Sequence, residues 1–436
     1  MREFSVPYGQ GSVSFHLPDG LEVEVVEPRE VARAADPEGV VRAAVGAPVG
    51  GVDLAGLVRG RRVPGHLTAA IAINDKTRPV PHQHLLPPLL ARLEALGLAP
   101  EAITLIIATG AHAPMPPAEF GRVVPAGVLA RYPVVCHDAD DRASLVHLGI
   151  TSRGTPVWAN RRYTDAGLRL AVGNVEPHQF QGFSGGAKGA AIGLAGRETV
   201  SRNHALMLDP RAGLGRYADN PARQDVEEIG ALMGVQFVLN VVLNGGKEIV
   251  HAVAGEPRAV MEAAIPLSRG VSQARVGQPF DLVIASAGGH PKDLNLYQAQ
   301  KALAHAARVT RDGGTVIVVA ACPEGAGSQR YEGWMEGLGS YEEVFARFEE
   351  EGFRVGPHKA FLLARDAARV RTILVSGMAQ ERVRLLLLTP AAGVDAALAL
   401  ALPGLGEGAR VGILPRASST IPDPAVGAQH AAPLHE

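Results

Sequence analysis

The chain has 436 residues, 47% of them hydrophobic and 20% charged, which excludes a disordered chain and leaves room for two or three cored domains at roughly 100–200 residues each. A formal net charge of −2 argues against a general binder of nucleic acid or membrane surface. The two cysteines, Cys136 and Cys322, lie far apart and supply neither a disulfide framework nor a CxxC metal pattern.

The start, "MREFSVPYGQGS", has no apolar core after its charge, so a secretory signal is not expected. The longest apolar run, "VIVVAAC" at 316–322, is too short to span a bilayer. A cytoplasmic location is the expectation. "SVSFHL" and "LEVEVV" read as short strands joined at "PDG". From residue 67, apolar runs alternate with amphipathic segments. Strands are predicted at 67–74, 103–110, 132–138 and 168–174, with helices at 83–97 and 117–132 between them. A short helix "GRETVSR" is expected to end before Asn203 and His204. A helix at 222–233 leads to strands "QFVLNVVLN" and "EIVHAVAG", and 256–279 reads as a helix and then a connector. A second series follows, with strands at 281–288, 314–322, 371–377 and 384–390 and helices at 293–309, 340–352, 358–368 and 392–402. Strands alternating with helices imply mainly parallel sheets covered on both faces. The fold class is therefore α/β, with two α/β domains expected at 1–270 and 271–422 and a mobile Pro/Ala-rich tail at 423–436. The residues carry no signal for oligomeric state.

In such folds, ligands collect beyond the carboxyl ends of the strands. The strand-end loops here are "NDKTRP" (74–79), "TGAHAP" (109–114), "GNVEPHQF" (173–180) and "SAGGHPKD" (286–293). In the first, Arg78 could hold a carboxylate by two parallel hydrogen bonds and Thr77 could help hold a phosphate; a solvated turn with an internal Asp75–Arg78 pair is an equal reading. His112 in the second could be a general base or a loop histidine bonded to backbone. The segment "EPHQFQGFSGGAKG" carries His178, Ser184, Gly185, Gly186 and Lys188. Its spacing fits neither the GxxxxGK[ST] phosphate loop nor GxGxxG, and "GFSGG" fails as a GxSxG nucleophile elbow. Its glycines admit close approach to the backbone. No HExxH pattern occurs, but His204 could ligate a metal. If 293–309 is helical, Tyr297 and Lys301 share a face with Gln298 beside them; that face could present donors to an anion or be plain surface. Only six of the 42 basic residues are lysines, at 76, 188, 247, 292, 301 and 359, so a retained lysine carries information: lysine can lose its proton and arginine cannot.

Taken in order, "NDKTRP", "TGAHAP", "HD" at 137–138, "EPHQFQGFSGGAKG", "NH" at 203–204 and "YQAQK" at 297–301 make the chain resemble the nickel-dependent lactate racemase family over most of its length. The resemblance implies two α/β domains with the active site in the cleft between them. It implies nickel held in a nickel-pincer nucleotide, a pyridinium-derived mononucleotide tethered to Lys188 as a thioamide. It also implies His204 as the protein ligand to nickel and His112 and His178 as paired acid/base groups. Asp75, Thr77, Ser184, Gly185 and Gly186 fall at cofactor-side positions, and Arg78, Tyr297, Gln298 and Lys301 at substrate-side positions. The implied reaction is racemisation or epimerisation of a 2-hydroxy acid, lactate by default. Hydride would leave C2 reversibly through a 2-keto acid. Cofactor-building enzymes would be transient partners. Two departures stand out. Ala113 replaces the arginine of the family's frequent "HRP" triplet, and His358 in "PHKAFLLAR" stands where the lactate enzymes carry tryptophan. Both point to the alternative of a larger or more polar 2-hydroxy acid. A non-catalytic nickel or nucleotide carrier is the rival from another class, against which the two paired histidines speak. A nicotinamide dehydrogenase is disfavoured by the missing GxGxxG.

Overall fold

A computed structural model describes residues 1–28, 30–60, 67–354 and 356–424. The chain divides into two compact units, one of residues 30–271 and one joining the residues before 30 to those after 271.

The 30–271 unit is built on a six-stranded sheet. Its order is Ile249–Gly255, Phe237–Leu243, Leu168–Asn174, Ala69–Asn74, Ile103–Ala108, Val134–Cys136. All neighbours run parallel except the edge pair Phe237–Leu243 and Ile249–Gly255. These strands read as continuous apolar runs because helices cover both faces. The two faces differ in size. Ile71, Ile73, Leu105, Ile107, Leu170 and Val172 pack one core, and Ala70, Ala72, Ile106 and Ala171 another. Alternation along the pleat puts successive residues on opposite faces. The small-residue face lets backbone come close: the short helix Lys188–Ala191 packs there, against the helix Pro221–Leu232. Gly230 marks the contact, since a Cβ there would lie 2.4 Å from the Ala187 Cβ.

The other unit carries a six-stranded parallel sheet in the order Thr389–Ala391, Arg371–Val375, Thr310–Val319, Phe280–Ser286, Arg410–Leu414, Glu22–Val25. Residues 1–28 therefore do not belong with the first domain as the 1–270 boundary expected. Glu22–Val25 pairs with Arg410–Leu414, and the hairpin Arg2–Tyr8/Gly11–Leu17 supplies Val6, Phe15 and Leu17 to this unit's core. The "VPYG" turn is fastened to the "GGHPKD" loop: Gly9 N–H donates to the buried Asp293 carboxylate at 2.7 Å, and His290 N–H donates to the Gly9 carbonyl at 2.7 Å.

Several expected elements are corrected. The helix expected at 117–132 is a 3₁₀ segment Pro117–Arg122 and a single turn Ala126–Leu129; Pro116, Pro117 and Pro125 remove the donors a continuous helix needs. The strand expected at 384–390 begins in the end of a helix Gln380–Leu385 and passes through a turn, with only Thr389–Ala391 in the sheet. The connector after 272 forms Gln273–Val276, paired with Ile421–Pro424. Asp423 and Pro424 are thus in a strand, and 425–436 of the expected tail lie outside the described residues. Among the described residues no helix is long and apolar enough to cross a membrane.

Candidate active site

The strand Ala69–Asn74 ends in the loop that carries Asp75, Thr77 and Arg78. Asp75 is buried, and its side chain gathers the loop. One carboxylate oxygen accepts from the Thr77 N–H at 3.0 Å and the Thr77 hydroxyl at 2.7 Å. The other is 2.8 Å from His112 Nδ1. Burial opposes the charge on Asp75, but the hydrogen bonds from His112 and Thr77 and the nearby positive charges outweigh it and hold the carboxyl below its ordinary value. An ionised carboxylate only accepts, so the proton lies on His112 Nδ1 and Nε2 is left as the basic nitrogen. His112 is exposed, its side chain 47% accessible. Arg78 does not form with Asp75 the internal ion pair of a solvated turn. Its guanidinium donates to the Thr77 carbonyl and hydroxyl at 3.2 and 3.3 Å.

His178 sits on a two-residue hairpin, Pro177–His178 paired with Gly182–Phe183. Its Nδ1 accepts from the Gln181 N–H at 3.3 Å. Its ring meets the edge of Phe180 at 4.9 Å between centroids, and Phe180 in turn meets His204 at 5.1 Å. His204 lies inside the helix Arg197–Ala205 and not beyond it, next to Asn203. That neighbour is fully buried and cross-braced. It accepts from Gln181 Nε2 at 2.7 Å and donates to the Ala222 carbonyl and the Asp225 carboxylate, each at 2.9 Å. One hydrogen-bonded step therefore joins the His178 hairpin to the His204 helix.

Between them lies the Lys188 turn. Ser184 closes it locally: its hydroxyl donates to the Asn174 carbonyl at 2.8 Å and accepts from the Glu176 N–H at 2.9 Å. Gly182, Gly185 and Gly186 have φ of +71°, +85° and +58°, where a side chain is strained. A Cβ on Gly185 would lie 2.5 Å from Val175 Cγ2, and one on Gly186 2.7 Å from Met261 Cγ. The close approach to the backbone that these glycines admit is thus made by protein atoms at Gly185 and Gly186. Lys188 keeps partial surface exposure, yet its amine end is set among protein atoms. Burial, then the charges of Arg78 and Arg223, pull its pKa down to about 7, against a smaller opposing effect of Glu176. Glu176 itself pairs with Lys247 at 3.0 Å.

Two residues that sequence reasoning missed hold this turn. Arg223 is fully buried. It donates to Glu227 at 2.6 and 2.9 Å, to the Phe183 carbonyl at 3.0 Å and to the Gly185 carbonyl at 3.1 Å. Asn240 accepts the Gly186 N–H at 2.6 Å. The i,i+4 spacing of Arg223 and Glu227 reads as an ordinary surface pair, so nothing local reveals it. The "HD" motif gives a structural histidine: His137 is buried between the Ala195 carbonyl at 3.0 Å and the Asn160 amide at 3.1 Å.

Tyr297, Gln298 and Lys301 belong to the other unit, on the helix Leu296–Ala307, whose N-terminus is capped by Asn295. The Lys301 amine lies 3.5 Å from Gln298 Oε1. Tyr297 meets His358 edge-on at 5.9 Å, and the Lys359 amine stands 4.6 Å over the Tyr297 ring. His358 is buried; desolvation and the Lys359 charge push its pKa down to about 3, so the ring is neutral.

Among the described residues no group of three or more His, Cys, Asp or Glu side chains could hold a metal ion. A metal at His204 would need most of its ligands from a non-protein group.

Comparison with known proteins gives consistent results. The family profile described as the lactate racemase N-terminal domain matches residues 8–215, and that of the lactate racemase C-terminal domain matches 276–421. The lactate racemase of Thermoanaerobacterium thermosaccharolyticum is 27% identical over 429 residues, covering 97% of this chain and 99% of that one. The lactate racemase of Lactiplantibacillus plantarum is 31% identical over 287 residues, 65% of this chain and 66% of that one. Among solved structures, the apoprotein of the T. thermosaccharolyticum enzyme matches with a TM-score of 0.88 at 26% identity, covering 97% of this chain and all of that one. A Thermotoga maritima protein with a TM-score of 0.60 and 18% identity shares the fold.

Proposed function

This chain belongs to the lactate racemase family, and we propose that it inverts the configuration of a 2-hydroxy acid, lactate first, with a nickel-pincer nucleotide tethered to Lys188. It is an enzyme of the isomerase class. The observation that carries the cofactor reading is Lys188. An amine can form an amide-type bond only when neutral, and this one is desolvated, flanked by two guanidinium charges and lowered to about 7. His204 fits as the single protein ligand to a metal otherwise held by the nucleotide, since no protein cage surrounds it among the described residues. When bound, the nucleotide would supply the acceptor and donor of hydride at C2.

The chain's own residues handle position and protons. Arg78 is the carboxylate grip, which fixes the acid so that only its C2 end turns. Tyr297, Gln298 and Lys301 are assigned to the substrate in this reading. His112, with Nδ1 committed to Asp75, offers Nε2 to take the hydroxyl proton. His178, with Nδ1 accepting from Gln181, carries its proton on Nε2 and can return one to the carbonyl oxygen of the 2-keto acid. Ser184, Gly185 and Gly186 act by shaping the turn that presents Lys188.

A second reading, a larger or more polar 2-hydroxy acid, is favoured by the neutral His358 and the Lys359 amine around Tyr297. The test is co-production with cofactor-building enzymes, followed by nickel content, intact mass with peptide mapping, and a panel of chiral 2-hydroxy acids. Nickel, a Lys188 adduct and racemised lactate are expected. Absence of all three removes the proposal; nickel with no exchange at C2 of any acid would make the chain a carrier.

A further inference from the structure

A cavity of about 130 Å³ adjoins the Asp75 loop, lined by Asp75, Lys76, Val80, His82, Arg122 and Val123. Val80 and Val123 pack against the large-residue core, whereas Ala190 and Ala191 of the Lys188 helix belong to the small-residue core. The cavity and the Lys188 turn therefore lie on opposite faces of the sheet. His82 is only 2% exposed. Its Nδ1 lies 2.8 Å from the Val123 carbonyl, which can only accept, so Nδ1 carries the proton and Nε2 is a bare acceptor. Burial keeps the ring neutral, with its pKa pulled down to about 4. Nothing among the described residues donates to that Nε2, and a buried acceptor left unmet is costly. Two other walls are cationic. Lys76 and Arg122 share one carboxylate, Glu119, at 2.5 and 3.5 Å, which leaves positive charge in excess there. The Asp75 carboxylate is already committed to Thr77 and His112.

We propose that this cavity is a second binding site, for a small monocarboxylate that carries a hydroxyl: the hydroxyl donates to His82 Nε2, and the carboxylate meets Lys76 and Arg122. Each half of the ligand answers one half of the cavity. An acid without a hydroxyl would satisfy the cations by charge-assisted hydrogen bonds but has no proton for Nε2. A neutral alcohol would do the reverse. Size sets the remaining limit. At about 130 Å³ the cavity admits a short-chain acid and falls well below the roughly 300 Å³ at which pockets for larger ligands begin. Asp75 connects this cavity to the base. It lines the cavity, and its carboxylate holds His112 Nδ1 at 2.8 Å. On the racemase reading, an acid of the substrate's own class would thus bear on the histidine that serves it; only that coupling rests on the racemase reading, and the binding does not.

The test uses the full chain produced without the cofactor-building enzymes, labelled with ¹⁵N-histidine and titrated with sodium lactate at neutral pH. The His82 ring signals are assigned by their loss in His82→Gln. The Nε2 resonance of His82 is expected to move and saturate. Propionate, which lacks the hydroxyl, should need about tenfold more or fail to move it. Lys76→Met, a surface change that leaves the fold intact, should raise the lactate midpoint about tenfold. Arg78→Gln should leave that midpoint where it is. A His82 signal that no acid moves leaves the cavity to water and overturns the inference. So do equal midpoints for lactate and propionate, a midpoint indifferent to Lys76→Met, or a shift that Arg78→Gln abolishes. The assay needs neither nickel, nucleotide nor turnover, so a chain that binds lactate here without racemising it would sink the racemase reading and leave this one standing.

Discussion

The loop of Asp75 and His112 and the turn of Lys188 belong to the same unit but are held by opposite means. The first is held by polar bonds at the surface. One buried carboxylate collects Thr77 and an exposed imidazole, and water reaches His112 freely. The second is held by packing. Three left-handed glycines, a buried Arg223–Glu227 pair and Asn240 fix its backbone. The difference suits two tasks. A group that exchanges protons with solvent needs access and a fixed tautomer, whereas a group that anchors a bulky partner needs a backbone that does not yield.

Substitutions that attack each means of support should therefore differ in kind. The largest effect is expected from Gly182→Ala. The new Cβ would lie 1.6 Å from the Arg216 carbonyl oxygen at a φ of +71°, so the turn must move, at a cost of about 4 kcal/mol or more in a denaturant titration. A loss below about 1 kcal/mol would show that the turn yields after all. Arg223→Met comes next. It leaves Glu227 buried and unpaired, for a loss of about 3–5 kcal/mol, while Arg223→Met/Glu227→Met should recover most of it. If the double variant is no better than the single, the pair is not what holds the turn.

On the polar side, Asp75→Asn should scarcely change the fold but should lower turnover of the loaded enzyme about a hundredfold or more, because His112 loses its fixed tautomer. Asp75 also sets a pH signature. Its carboxyl is held below its ordinary value, so its stabilisation is complete above the ordinary carboxylate range and is lost as pH falls through the lowered value. The Asn variant should show a shallower acid-side fall in melting temperature; equal slopes would count against the His112–Asp75 bond. Smallest of all, Lys76→Met removes a surface pair with Glu119 and should change stability by less than about 1 kcal/mol.

The same contrast explains what could be read from residues alone. The central strands of the 30–271 unit were legible because burial on both faces leaves uninterrupted apolar runs, and Leu168–Asn174 matches its predicted span. The polar loops were legible because short-range chemistry writes itself into short motifs such as "NDKTRP". The joining of Glu22–Val25 to Arg410–Leu414 was not, because a pairing across nearly the whole chain leaves no local mark. Nor was the role of the glycines beside Lys188. A glycine demanded by a neighbour's carbonyl and one left for a ligand look identical until the neighbour is in place.

The bond from Gln181 to Asn203 has a mechanical consequence. His178 lies three residues before Gln181, and His204 directly follows Asn203, so both imidazoles ride on one stiff raft. A tilt of the helix carries the hairpin with it, and thermal jitter displaces the two rings together. What is conserved through that motion is the spacing between the proposed proton donor and the proposed metal ligand, the quantity that a reaction at a single carbon atom can least tolerate losing.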